Sequence, residues 1–118
     1  MSEKERLAIL RNVKELSTAD DTKLRSLLPF FDEVAMPAGV AVARESRLCH
    51  EYFVVASGEL EICRRGRATV LGPGGSFGWT AMRVRGRHDA TVVTMSPVQL
   101  LVMGHSQFRA AEALEPAS

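Results

Sequence analysis

The spacing of apolar residues changes once along this chain, near Phe31, and that change fixes the class of fold. Before it, Leu7, Leu10, Val13 and Leu16 recur at helical spacing, with Arg11, Lys14 and Glu15 between them. They predict an amphipathic helix. Ser17-Thr18-Ala19-Asp20 has the spacing of a capping box, with Asp in place of the preferred Glu. It predicts a second short helix carrying Leu24, Leu27 and Leu28. Pro29 ends that helix, because a proline pushes the residue before it out of helical geometry. From Phe31 onward the period is two. Apolar runs at 40–43, 52–56, 60–63, 68–71, 90–93 and 100–103 alternate with turn signals at Pro37-Ala38-Gly39, Ser57-Gly58, Arg65-Gly66 and Pro73-Gly74-Gly75. Pro97 fits a hairpin turn before the last run. Many short strands at this spacing predict a sandwich, barrel or jelly roll. Residues 106–114 read as a closing helix with Phe108, Ala111 and Leu114 turned inward, and 115–118 as a frayed tail.

A chain of 118 residues is expected to be one domain. The expected division is a helical lead-in over 1–30, a β-roll over 31–104 and a closing helix over 105–114. A domain of this size buries roughly 60 to 70% of its unfolded surface, enough for one core. The net charge of +1 gives no overall field that favours nucleic acid. Two arginine clusters, Arg64, Arg65, Arg67 and Arg83, Arg85, Arg87, read as solvated hairpin tips. Cys49 and Cys63 make no disulfide framework and have no metal spacing, so both are expected to be reduced. The charged N-terminus has no apolar run behind it and no segment could span a membrane, which places the chain in the cytoplasm. His50, His88 and His105 are far apart in sequence, with His50 and His105 expected to be isolated. A cupin-type metal enzyme, which shares the jelly-roll plan, needs a His-x-His pair and is a remote alternative. No nucleophile arrangement is present either, so the chain is expected not to be an enzyme. Met82, Met95 and Met103 are expected as core fillers and Glu59 and Glu61 as a solvated strand face.

One stretch carries more information. Pro73-Gly74-Gly75-Ser76-Phe77-Gly78 is followed by Trp79-Thr80-Ala81-Met82 and then by His88-Asp89-Ala90-Thr91-Val92. This resembles the phosphate-binding cassette of cyclic-nucleotide-binding domains, of the bacterial catabolite activator and protein kinase A regulatory-subunit type. Gly39, Gly58 and Gly74 fall at the family's turns, Phe77-Gly78 opens the cassette, and Ala81 matches its small helical residue. The resemblance runs from about Leu24 to Phe108. It implies a mainly β fold, an eight-stranded jelly-roll β-barrel (double-stranded β-helix) with flanking N- and C-terminal helices. It also implies an anion site where a short helix presents unpaired amides beside Gly78, Thr80 and Ala81.

The cassette is degenerate in its side chains. Where the family has a Glu that accepts from the ribose 2′-hydroxyl, this chain has Trp79, which offers one donor and a large apolar face. Where the family has an Arg that forks onto the phosphate, this chain has His88, expected to be mostly neutral at pH 7. Asp89 replaces a small residue with a negative charge. These changes are expected to weaken phosphate binding by roughly two to four decades. Arg87 lies on the opposite face from His88 in an extended strand, and a bulge at Gly86 is what would turn it into the site. Trp79 either plugs an emptied pocket or stacks on a ligand base. The candidate ligand-binding residues are Gly78, Trp79, Thr80, Ala81, Arg87, His88, Asp89 and Ala90.

The expected function is a stand-alone regulatory module. It takes cyclic AMP, cyclic GMP or another small anion weakly and acts through contact with another chain. The alternative is a ligand-free protein interaction or self-association module, for instance a homodimer. Family transcription factors continue into a dimer helix and a helix-turn-helix domain. This chain stops soon after Phe108, so DNA reading by that route is not expected, and much of the lid over the base would be missing.

Overall fold

The computed structural model of the chain describes residues 1–113. Helix α1 (Glu3–Arg11) begins at Ser2, whose hydroxyl accepts from the Glu5 amide at 3.1 Å. It ends at Asn12, so the single helix expected through Leu16 is broken. Lys14–Leu16 continue as one 3-10 turn. The break still delivers Leu7, Leu10, Val13 and Leu16 to the core. Helix α2 (Asp21–Leu27) is capped by Asp20, whose carboxylate accepts from the Lys23 amide at 2.8 Å. The expected cap at Ser17 is therefore displaced by three residues, because Ser17 closes the preceding 3-10 turn through its own amide. Pro29 sits at the start of a 3-10 turn, Leu28–Phe30, where a missing N–H costs no bond.

Eight strands follow: β1 (Asp32–Met36), β2 (Ala41–Ala43), β3 (Glu51–Ser57), β4 (Leu60–Arg64), β5 (Arg67–Leu71), β6 (Ser76–Phe77), β7 (Thr91–Thr94) and β8 (Val98–Gly104). The short helix α3 (Trp79–Arg83) lies between β6 and β7, and α4 (His105–Ala113) closes the described chain. The strands form two antiparallel four-stranded sheets, β1-β8-β3-β6 and β2-β7-β4-β5. This is the jelly-roll order, open at its edges rather than closed as a barrel. The expected inward Leu114 and the tail lie outside the described residues.

β3 and β8 occupy the middle of the molecule and explain why their sequences do not alternate. Tyr52, Val54, Leu101 and Met103 face the helices, with Leu10, Leu24 and Phe108. Phe53, Val55, Leu100 and Val102 face the other sheet, with Leu60, Ile62 and Val92. A strand covered on both faces reads as a continuous apolar run. Each fully buried side chain of this kind contributes roughly 1.5 to 3 kcal/mol. β4 is covered on one face and alternates, with Leu60 and Ile62 inside and Glu61 and Cys63 outside. Glu59 is exposed with Glu61, as expected. Met82 and Met103 are core residues, but Met95 is 52% exposed. It sits just past the end of β7, where the chain turns before Pro97 and packing ends. Gly58 makes the β3–β4 corner at φ +86°, and a Cβ there would lie 2.3 Å from the Pro97 carbonyl oxygen. Only glycine admits that approach of the two turns.

Candidate functional site

The site grows out of β6. Phe77 points into the sandwich and stacks on Phe53 at 4.6 Å. The next residue, Gly78, caps α3 in the left-handed region at φ +99°. A Cβ there would lie 2.8 Å from the Glu51 carbonyl oxygen, so the position requires glycine. The Met82 amide reaches back to the Gly78 carbonyl, which leaves the amides of the first turn without intrahelical partners. After one turn the helix stops. The Gly86 amide bonds the Ala81 carbonyl, and Arg85 takes φ +52°. Residues 87–90 then run back towards β7. Arg87 bridges to Leu48, and the His88 amide donates to the Arg47 carbonyl at 2.9 Å.

An open groove of about 730 Å³ lies along α3, the returning 86–90 segment and the inner ends of β4 and β7. All eight residues singled out from the sequence border it: Gly78, Trp79, Thr80, Ala81, Arg87, His88, Asp89 and Ala90. Their side chains are engaged in different ways. Trp79 packs edge-on against Tyr52 and Phe108, both at 5.2 Å, and joins the helix-side core. Of its two expected roles, plugging the interior is the one its contacts fit. Arg87 donates to the Ser46 carbonyl at 2.8 Å and is exposed. Its guanidinium is thereby tied to the neighbouring loop. Asp89 accepts from Arg64 Nε at 3.0 Å and Nη2 at 3.2 Å, a two-pronged pair on the surface. Burial lowers the pKa of His88 below the ordinary histidine value. Asp89 opposes that shift and His50 adds to it. His88 is therefore neutral at pH 7.

Three further groove residues were not among the candidates read from the sequence: Lys14, Glu15 and Arg64. Glu15 reaches the site from the first 3-10 turn. Its Oε1 accepts from Ser76 Oγ at 2.6 Å and from the Tyr52 hydroxyl at 3.0 Å. Burial drives the Tyr52 phenol above its usual range, so it remains a donor to Glu15. These partners are 61 and 37 residues apart in the chain, and no local pattern connects them. The arginine cluster at Arg64 is exposed, as expected, and Arg64 pairs with Asp89 at the surface. His50 and His105, expected to be isolated, meet edge to face at 5.8 Å. Among the described residues no three His, Cys, Asp or Glu side chains converge as metal ligands. Cys49 and Cys63 are free thiols, the first buried against the Glu51 carbonyl. No helix among the described residues is long and apolar enough to cross a membrane.

Comparison with known proteins agrees with this fold. The cyclic nucleotide-binding domain family matches residues 33–113. No curated protein matches the chain significantly. Among solved structures, the regulatory domain of Toxoplasma gondii PKA, crystallised with cAMP, is 26% identical with a TM-score of 0.81. The match covers 92% of this chain and 44% of that one, so this chain spans less than half its length. The N-terminal domain of a Streptomyces coelicolor transcriptional regulator is 24% identical with a TM-score of 0.79, covering 92% of this chain and 81% of that one. The Thermus thermophilus catabolite activator protein is 22% identical with a TM-score of 0.74, covering 83% and 49%. With its strand order, its glycine-capped α3 and a match over more than half its residues, the chain belongs to the cyclic nucleotide-binding domain family.

Proposed function

We propose that the chain is a non-catalytic regulatory module. It takes a cyclic nucleotide or a related small anion weakly in the groove beside α3 and acts through contact with another chain. One observation carries this reading. The groove keeps a glycine-capped helix start whose first amides are unpaired within the helix, while the side chains around it are engaged elsewhere: Trp79 with Tyr52 and Phe108, Asp89 with Arg64, Arg87 with Ser46. A phosphate entering the groove meets backbone donors and a neutral His88 rather than a permanently charged fork. The Asp89 charge is partly offset by Arg64, but both are exposed, and such a pair contributes at most about 1 kcal/mol. The two free thiols fit a reducing compartment such as the cytoplasm.

The test is titration with cyclic AMP and cyclic GMP, read by fluorescence of Trp79, the chain's one tryptophan, and by calorimetry. Dissociation constants in the high-micromolar range or weaker are expected. Sub-micromolar binding at physiological salt would overturn the reading. The burial of Trp79 against the core favours a second reading, a ligand-free interaction or self-association module. No binding of either nucleotide at millimolar concentration would select it.

A further inference from the structure

We infer that a second cleft, on the far side of the wall made by Arg87 and His88, docks an acidic, extended peptide segment of a partner protein. This deepens the partner contact of the proposed function and rests on it. The cleft is open, about 570 Å³, and lies between β2, the 44–51 connection and the 87–88 return. Arg44, Arg47 and Arg87 line it against one carboxylate, Glu51, for a formal charge of +2 when histidines are left out of the count. That exceeds the +1 of the whole chain. None of these three arginines has a carboxylate partner among the described residues, whereas Arg11, Arg64, Arg83 and Arg109 each have one.

The backbone that carries Arg44 and Arg47 is held in place, partly by Arg87 itself. The Arg47 amide closes a turn onto the Arg44 carbonyl, Ser46 takes φ +71°, and Arg87 Nη1 fastens the Ser46 carbonyl at 2.8 Å. A non-glycine residue in that region persists only where its surroundings over-determine it. The floor is apolar, formed by Val42, Ala43 and Phe53, and Leu48 stands half-exposed at the rim. β2 forms one wall and pairs only with β7, so its second edge carries no strand. An extended peptide can bond to such an edge through its main chain, with acidic side chains on Arg44 and Arg47 and an apolar one on Leu48. Nucleic acid fits less well. The aromatic ring in the cleft, Phe53, is 3% exposed and already stacked on Phe77, so no platform for a base is present.

The test is fluorescence anisotropy of the chain with a short labelled peptide rich in Asp and Glu and carrying two leucines. Saturable binding at low salt is expected, weakened roughly tenfold by Arg44→Glu with Arg47→Glu. Arg65→Glu with Arg67→Glu, at the distant β4–β5 turn, should leave it unchanged. A peptide with alternate amides N-methylated should not bind. The inference is overturned by equal losses in the two double variants, by undiminished binding of the N-methylated peptide, or by stronger binding of single-stranded RNA or anionic vesicles. If the Arg44/Arg47 variant does not fold, hydrogen exchange on the unmodified chain decides. Peptide should slow exchange within 41–48, and unchanged exchange there overturns the inference. Nucleotide titration of the unmodified chain keeps the two readings apart, since its failure removes the proposed ligand and leaves the peptide result standing.

Discussion

Trp79→Ala measures whether the indole belongs to the core or to the site. Removing a fully buried Trp costs about 3 to 5 kcal/mol. Trp79 is only partly buried, since one side borders the groove, but its edge-on contacts with Tyr52 and Phe108 add about 0.5 to 1.5 kcal/mol each. The expected loss is therefore about 2 to 4 kcal/mol. In a domain of this size each kcal/mol lowers Tm by roughly 3 to 5 °C, so the variant should melt about 6 to 20 °C lower. Thermal unfolding followed by circular dichroism reads this directly. A drop under about 3 °C would refute the core assignment and return Trp79 to the ligand. Restoring the family residue, Trp79→Glu, should be worse still. It places an unpaired carboxylate beside two aromatic rings and near Glu15, which already accepts from Tyr52.

For that reason restoration is better tried in the phosphate half alone. His88→Arg with Asp89→Ser, retaining Trp79, should strengthen cyclic AMP binding by about one to two decades, and unchanged affinity in a folded variant would show that the α3 backbone itself is unsuited. Gly78→Ala should destabilise by about 1 to 3 kcal/mol, because φ +99° and the Glu51 carbonyl both oppose a Cβ, and a denaturant midpoint equal to that of the unmodified chain would contradict this. His88 supplies a pH signature. Its folded pKa lies below the ordinary value of 6.5, so the unfolded chain binds the proton more readily. Its stability contribution is complete above about pH 7 and falls as pH drops through about 6.5, levelling once the folded state also protonates. Urea melts at about pH 7.5 and 5.5 should show a larger loss for the unmodified chain than for His88→Gln, and parallel losses would exclude the effect.

The switch of apolar period at Phe31 was enough to read a mainly β fold of many short strands, because covered faces impose their spacing on the sequence, and the cassette resemblance narrowed it to a jelly roll. The doubly covered β3 and β8 were still legible as strands from the turns that bound them. The helix cap was misplaced because Ser17 and Asp20 both satisfy the local pattern, and only the path of the preceding turn chooses between them. Gly78 and seven others of the residues that border the groove were legible because they are close in sequence. Glu15 and Arg64 were not, since each reaches the groove only after the chain has folded back from another element. The orientation of Trp79 was equally hidden. A large ring beside a glycine can turn to either side, and Phe108 at the far end of the chain decides which.

The double coverage of β3 and β8 leaves their alignment with little help from water. Sliding a strand by one residue normally exposes its apolar side, and that exposure forbids the slip. Here a slip would exchange Tyr52 and Val54 for Phe53 and Val55, and every one of them would remain in oil. The alignment must be set by points that tolerate no shift. One is the Tyr52 hydroxyl, which finds Glu15 in a single register. Another is Gly58, wedged against the Pro97 carbonyl at the end of the strand. A bulkier residue at that corner would act less as a lost contact than as a misplaced origin, offsetting both layers of the molecule together.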